Sequence, residues 1–285
     1  MIEVLAPGPY ATVQDLGRPG YAHLGVPRSG AADAAGLRLA NRLVGNHEGS
    51  AGLELTFGGA RLRFVTGAWI AITGAPCPLT ASETCAHGMR VPFWMPPGAE
   101  LGIGTPASGL RTYVAVRGGI DVEPVLGSRS TDSLSGLGPA PLRAGTTLPV
   151  GDTGSLAAIC VDQVPPPPPS PPVLRVLRGP RDDWFAGDAP AGLCARPYEV
   201  SQDSNRVGVR LRGTTLTWAR QGELPSEGVV TGAVQVPPSG QPIVFLADHP
   251  PTGGYPVIGV VLAADLPIAA QARPGDGLSF RLVGH

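Results

Sequence analysis

A chain of 285 residues with 21 basic and 22 acidic side chains, a formal net charge of -1, has no charge reason to seek nucleic acid or an anionic membrane. All of its basic residues are arginine, which excludes a lysine-dependent phosphate loop, a Schiff-base nucleophile, a biotin-carrying lysine and the Ser-Ser-Lys triad of an amidase. With 41 glycines, 33 prolines and 15% charged residues, the composition favours short strands and many turns, and the length suits two domains.

The first periodic segment runs from Ala31 to Val44. Leu37, Ala40, Leu43 and Val44 recur there at helical spacing, Ser29 is placed to cap the start, and Gly45 stands where a helix ends. Leu53 to Phe57, Arg61 to Phe64 and Trp69 to Thr73 then alternate with period two between glycines, which predicts strands. Residues Pro165 to Pro172 are proline except for Ser170, a run without amide donors that reads as an extended polyproline II spacer. The expected division is therefore an N-terminal lobe over 1–163, a proline-rich linker over 164–172 and a C-terminal lobe over 173–285.

Beyond the linker, Val173 to Arg178, Val207 to Leu211 and Thr215 to Trp218 alternate again, and Ile243 to Leu246 suits a buried strand. Asp265 precedes Leu266 to Gln271, where Pro267 fits a first helical turn and Asp265 is expected to accept its free amides. Pro274 to Gly277 turns the chain into a last strand. The expected fold is mainly β with a few short helices, as two β-barrel lobes whose closure removes exposed edges.

Cys77, Cys85, Cys160 and Cys194 lack zinc-ribbon spacing, and His23, His47, His87, His249 and His285 include no i, i+4 pair, so no metal site is expected. No apolar stretch approaches the roughly 18 to 20 residues that span a bilayer, and the N-terminus lacks the pattern of a signal peptide. A cytoplasmic location is expected.

Candidate chemistry falls on loops where polar groups sit among glycines. Gly127 to Asp132 offers Ser128, Arg129, Ser130, Thr131 and Asp132, a set able to hold a carboxylate or phosphoryl group, or simply a polar turn. Ser204, Asn205 and Arg206 form another such segment. Ser226, Glu227 and Gly228 are a turn element or part of a site. Asp248 ends an apolar strand and is followed by Thr252, Gly253, Gly254 and Tyr255, a common site geometry. Asp33 either contributes to a site or favours the positive end of its helix.

In order along nearly the whole chain, Thr12 to Gly20, Gly25 to Gly30, Leu39 to Asn46, Gly118 to Asp132, Ser226 to Gly232, Gln235 to Pro238, Pro242 to Pro256, Asp265-Leu266 and Pro274 to Asp276 resemble the KipA family. That family is also called allophanate hydrolase subunit 2 or the C subunit of 5-oxoprolinase. The resemblance implies two cyclophilin-like β-barrel lobes and a stable complex with a KipI-like B subunit, acting with a lactam-utilisation A subunit. It implies ATP-dependent opening of 5-oxoproline, a small amide substrate, to glutamate, with ATP bound somewhere in the complex and no covalent biotin on this chain. Asp248 or Glu227 would handle a proton, and Arg129, Ser130 and Thr131 would bind an anionic group.

Two other roles come with the resemblance: a regulatory protein that antagonises a KipI-like kinase inhibitor, and a carboxyltransferase component acting on urea or a similar amide with biotin on another chain. The family usually has arginine, glutamine and two threonines after the strand-end aspartate, whereas His249-Pro250-Pro251-Thr252 stand here. Val207 also replaces a common methionine, a volume-conserving change.

A chain with so few charges is expected to keep an apolar face for a stable partner and to purify poorly alone. Light scattering checks this; a clean monomer at working concentration contradicts it.

Overall fold

Glycine and proline interrupt the chain so often that most strands run for six residues or fewer, and they are held by long-range pairing rather than by local propensity. The computed structural model describes residues 1–81, 88–168, 171–220 and 222–284. Cys85, His87, His285 and the Pro169 and Ser170 portion of the expected linker lie outside the described residues. Two compact units are present, the first formed by Met1–Arg18, Ser29–Asp132 and Gly136–Pro168 and the second by Pro19–Arg28, Ser133–Ser135 and the described residues from 171 onward.

The first unit contains β1 (Ile2–Pro7), β2 (Tyr10–Gln14), α1 (Ala34–Leu43), β3 (Gly52–Thr56), β4 (Ala60–Phe64), β5 (Ala68–Gly74), β6 (Leu79–Ala81), β7 (Pro92–Met95), β8 (Glu100–Ile103), β9 (Arg111–Val116) and β10 (Thr147–Leu148). They form two five-stranded sheets, ordered β10-β1-β4-β8-β6 and β2-β3-β9-β5-β7. Alternation sends Ile2, Val4, Leu62 and Leu101 of the first sheet and Val13, Leu53, Ile70 and Val114 of the second into one shared core. The opposite face of the second sheet is buried as well, because Leu37, Ala40 and Leu43 of α1 pack on Ala71, Tyr113 and Ala115. Strand β9 is consequently buried at every position.

The helix starts later than its periodicity suggests. Asp33 is the cap, its Oδ1 accepting from the Gly36 amide at 2.9 Å. Ser29, expected in that role, adopts a left-handed φ of 57° and donates its hydroxyl to the Thr131 carbonyl at 3.0 Å. Behind the cap lies a polar network inside the core. The Tyr113 hydroxyl accepts from the Asp33 amide and donates to Glu54 Oε2, both at 2.8 Å, and Glu54 also accepts from the Ala32 amide at 2.9 Å. Arg111 lies 3.5 Å from Glu54 Oε1 and balances its charge. Burial first, then the nearby charges of Glu54 and Asp33, push the Tyr113 phenol well above its ordinary value, so it stays a donor.

The second unit contains β11 (Val173–Arg178), α2 (Ala189–Cys194), β12 (Tyr198–Val200), β13 (Gly208–Arg212), β14 (Glu227–Gly228), β15 (Ala233–Gln235), β16 (Ile243–Phe245), β17 (Thr252–Gly253), β18 (Val257–Val261), α3 (Leu266–Gln271) and β19 (Gly277–Leu282). Seven of these strands close a barrel in the order β11-β18-β15-β16-β13-β12-β19, with β19 running parallel to β11. Leu174, Val176, Val209, Leu211, Val234, Val244, Ile258 and Phe280 fill it. The mainly β fold with short helices agrees with the expectation, and barrel closure belongs to this second unit. Strands β14 and β17 form a separate two-stranded ribbon.

Two local expectations are corrected here, and one helix is new. Thr215 to Trp218 is not a strand: Gln241 takes the Gly213 amide at 2.8 Å with its side chain, and Trp218 turns onto Trp184 with ring centroids 6.0 Å apart. Asp265 precedes α3 but does not cap it, because its carboxylate accepts from the Arg175 amide and guanidinium at 2.7 to 2.8 Å. Helix α2 was unexpected; Asp188 caps it through the Ala191 amide at 3.2 Å, with proline in its first turn.

The buried network gives a direct test. Tyr113→Phe removes one donor to Glu54 and one acceptor for the Asp33 amide, and is expected to cost about 1–3 kcal/mol of stability in chemical denaturation. An unchanged midpoint contradicts the network's role.

Candidate functional site

In the first unit, the chain leaving β2 places Asp15 against the Gly127 to Asp132 segment. Asp15 Oδ1 accepts from the Ser128 hydroxyl at 2.7 Å, the Ser130 hydroxyl at 2.5 Å and the Gly17 amide at 2.7 Å. Its Oδ2 accepts from the Arg129 amide at 2.6 Å. The Ser130 oxygen in turn accepts from the Asp15 amide at 3.0 Å, and the Ser128 oxygen from the Ser130 amide at 3.0 Å. These hydroxyls thus hold the loop. Thr131 likewise donates its hydroxyl to the Pro139 carbonyl at 2.8 Å.

Arg18 lies fully buried beside them, donating Nη2 to the Ser130 carbonyl at 2.5 Å, with Nη1 3.9 Å from Asp132. Gly138 must be glycine here, since its φ is 81° and a Cβ would stand 2.0 Å from the Ser130 carbonyl oxygen. Arg129 departs from this cluster. Its guanidinium, 36% exposed, bonds Asp121 at 2.6 Å and the Val122 carbonyl at 2.7 Å. Asp33 stands with the Glu54 network that caps α1, apart from the Asp15 cluster in its hydrogen bonding.

In the second unit, Asp248 follows β16 on a tight turn and is withdrawn from solvent. Arg206 grips it with both prongs, Nε to Oδ2 at 2.9 Å and Nη2 to Oδ1 at 3.0 Å. Ser133 adds its amide at 3.0 Å and its hydroxyl at 2.6 Å, both to Oδ2. Burial alone would raise this carboxyl, but the Arg206 charge and the Arg206 and Ser133 hydrogen bonds outweigh it and hold the value below the ordinary range.

Ser204 and Asn205 build the turn that presents Arg206. The Asn205 side chain accepts from the Val207 amide at 2.8 Å, and the Ser204 hydroxyl oxygen from the Arg210 amide at 3.0 Å.

Next to Asp248, His249 is buried and stacks on Phe245, with centroids 5.7 Å apart and planes 24° from parallel. Its Nδ1 lies 2.7 Å from the Pro250 carbonyl and its Nε2 3.1 Å from the Thr231 hydroxyl. Burial pushes the imidazole below its ordinary value, against smaller opposing effects of the Pro250 carbonyl and Asp248.

Glu227 lies on the β14 and β17 ribbon, paired with Gly253, and its carboxylate takes both prongs of Arg181. The Arg181 hydrogen bonds hold it below the ordinary carboxylate range. Thr252 of this ribbon and the flanking Ser226 and Tyr255 are exposed, and Gln235 donates to the Tyr255 carbonyl at 3.1 Å. Gly253 leaves room for that amide, which a Cβ would meet at 2.6 Å.

Two features were missed in the sequence. Asp15 and Arg18 lie in the quoted Thr12 to Gly20 stretch, and an Asp-Leu-Gly-Arg run on a glycine turn was the available signal. Thr231 lies in the quoted Ser226 to Gly232 stretch but nothing there pairs it with His249, and Ser133 had no signal, since its partner lies 115 residues along the chain.

Replacing Arg206 by leucine leaves a buried carboxylate without its cation, with an expected loss of about 3–5 kcal/mol. Asp248 has a depressed folded-state pKa, so its contribution is fully present above the ordinary carboxylate value near 4 and is lost as pH falls below it. Denaturation midpoints between about pH 2 and pH 6 should show that loss in the wild type and not in Asp248→Asn.

Residues 24–282 match the family model described as carboxyltransferase domain, subdomain A and B. The C subunit of the 5-oxoprolinase of Escherichia coli strain K12 is 39% identical, over 98% of this chain and 90% of its own. The urea amidolyase of Lachancea kluyveri is 36% identical over 98% of this chain but only 17% of its own length. The crystal structure of the K. lactis urea amidolyase superposes with a TM-score of 0.90 at 33% identity, covering 99% of this chain and 19% of that one. The chain therefore spans nearly all of the bacterial relative and under a fifth of the yeast ones, and it belongs to the carboxyltransferase domain family.

Proposed function

We propose that this chain is the C subunit of an ATP-dependent 5-oxoprolinase, opening 5-oxoproline to glutamate with a KipI-like B subunit and a lactam-utilisation A subunit. The observation that carries this reading is the 39% identity to a 5-oxoprolinase C subunit over 90% of that protein's length. Likeness across nearly the whole of both chains argues for a shared role as a unit, whereas the urea amidolyases carry most of their length elsewhere.

The chemistry is the addition of water across a lactam C–N bond, coupled to ATP hydrolysis in the complex. With no lysine on the chain, phosphate contacts here fall to arginines and backbone amides. Asp248 and Glu227 serve as fixed negative charges, each ionised at neutral pH and gripped by a guanidinium. Thr252, Gly253, Gly254, Tyr255 and Ser226 surround Glu227 and contact the small amide. Arg206, set by Ser204 and Asn205, holds Asp248. In the first unit, the partly exposed Arg129 is the cation for an anionic group, while Ser130, Thr131 and Asp132 hold their own loop and Asp33 caps its helix.

The test is reconstitution: this chain co-expressed with its KipI-like partner, supplemented with the A subunit, and assayed for glutamate and for ATP hydrolysis that depends on 5-oxoproline. Both products are expected only when this chain is present. Glu227→Gln is expected to lower kcat by about 10²-fold, the scale for removing one positioned charge. An assembled complex that forms neither product rejects the reading. Carboxyl transfer from carboxybiotin to urea is then the next assay, given the match to the yeast enzymes.

A further inference from the structure

Neither carboxylate described above is a good proton acceptor, because both are held below the ordinary range by guanidinium partners. General acid–base catalysis works best with a group that titrates near the working pH. Beside Asp248 lies a different kind of base, the imidazole of His249, whose partners are a carbonyl and a hydroxyl rather than a guanidinium.

The hydrogen bonds around His249 settle its tautomer. A carbonyl oxygen can only accept, so Nδ1, 2.7 Å from the Pro250 oxygen, carries the proton. In the neutral ring Nε2 is then a lone pair, and the Thr231 hydroxyl 3.1 Å away must donate to it. Burial favours the neutral ring. The charged groups bearing on it are Asp248, its neighbour, and through Asp248 the paired Arg206. Thr231 itself is only partly buried and the adjoining Val230 is 56% exposed, so this turn borders accessible surface while His249 is buried.

We propose that Thr231 and His249 form a proton relay, in which Thr231 meets the reacting ligand and His249 acts through it as a positioning residue and proton store. The relay rests on the oxoprolinase reading for its substrate, an amide N–H or the attacking water. The ligand's X–H bond breaks and its proton joins Thr231 Oγ, while the Thr231 O–H bond breaks and that proton joins His249 Nε2. The ligand keeps the electron pair, the imidazolium is stabilised by the neighbouring Asp248 carboxylate, and the reverse transfer restores the neutral pair. The sequence position where the family usually has arginine thereby gains a titratable group.

Two measurements test it. In the reconstituted complex, Thr231→Val and His249→Gln are each expected to lower kcat by about 10²-fold with little change in KM, the scale of general acid–base catalysis. The double variant should be no worse than either single one, Thr231→Ser should restore most of the rate, and the acidic limb of the pH–kcat profile should vanish in His249→Gln. Additive losses, an unchanged pH profile or unaffected kcat overturn the relay.

The second measurement needs no turnover. Nitrogen-15 spectra of the full chain labelled at histidine, with His249 assigned by its absence in His249→Gln, should show a neutral Nδ1–H ring at pH 7 that shifts in Thr231→Val. An Nε2–H tautomer or an imidazolium at pH 7 overturns the relay whether or not the complex is active. A wild-type complex that forms no glutamate while the spectra show the expected ring counts against the substrate reading and supports the pair.

Discussion

A carboxylate removed from water is worth several kcal/mol of unfavourable free energy unless its charge and its lone pairs are all answered, and Asp248 is such a group. The surroundings of that one side chain follow from answering it. A planar fork is needed to meet both oxygens, which is why Arg206 is delivered on a rigid turn built by Ser204 and Asn205. The remaining lone pair on Oδ2 takes two donors from Ser133. Once the aspartate is clamped, the next residue in the turn has little freedom, and His249 is set between Pro250, Thr231 and Phe245.

The same logic recurs in the first unit with different parts. Asp15 is answered by two hydroxyls and two amides rather than by a cation, and Glu54 by a phenol, an amide and the nearby Arg111. A chain without lysine makes these choices legible, because every buried cation is a guanidinium with directional donors. Polar groups in these cores fix loop geometry at positions where apolar packing alone would leave several arrangements of similar energy.

How far the sequence spoke depends on the range of the interaction. Leu53 and Ile70 betrayed their faces by alternation, and Leu37, Ala40 and Leu43 by helical spacing, since both patterns are local. The helix start was misplaced because Ser29 and Asp33 are both good caps, and only the distant Thr131 carbonyl decided between them. Thr215 to Trp218 looked like a strand, but its backbone is spent on loop partners, the Leu216 amide on the Gly240 carbonyl and the Thr217 carbonyl on the Ala186 amide. At the site, Arg206 and Asp248 were both singled out, but nothing local pairs residues so far apart or adds Ser133 to them. The departure at His249 was visible as a missing arginine; what the histidine does required the Thr231 oxygen to be in place.

The two hydrogen bonds from Ser133 to Asp248 join positions 115 residues apart within one unit whose strands all come from the second half of the chain. Recombination at the proline run, which separates the halves so plainly in sequence, would carry Asp248, Arg206 and His249 into a new gene and leave Ser133 behind. Such a chimera would inherit a buried anion two donors short. Gene fusion is therefore free to append this chain whole to larger enzymes, as the yeast relatives that match over 98% and 99% of it have it, while shuffling of its halves is penalised at the level of folding.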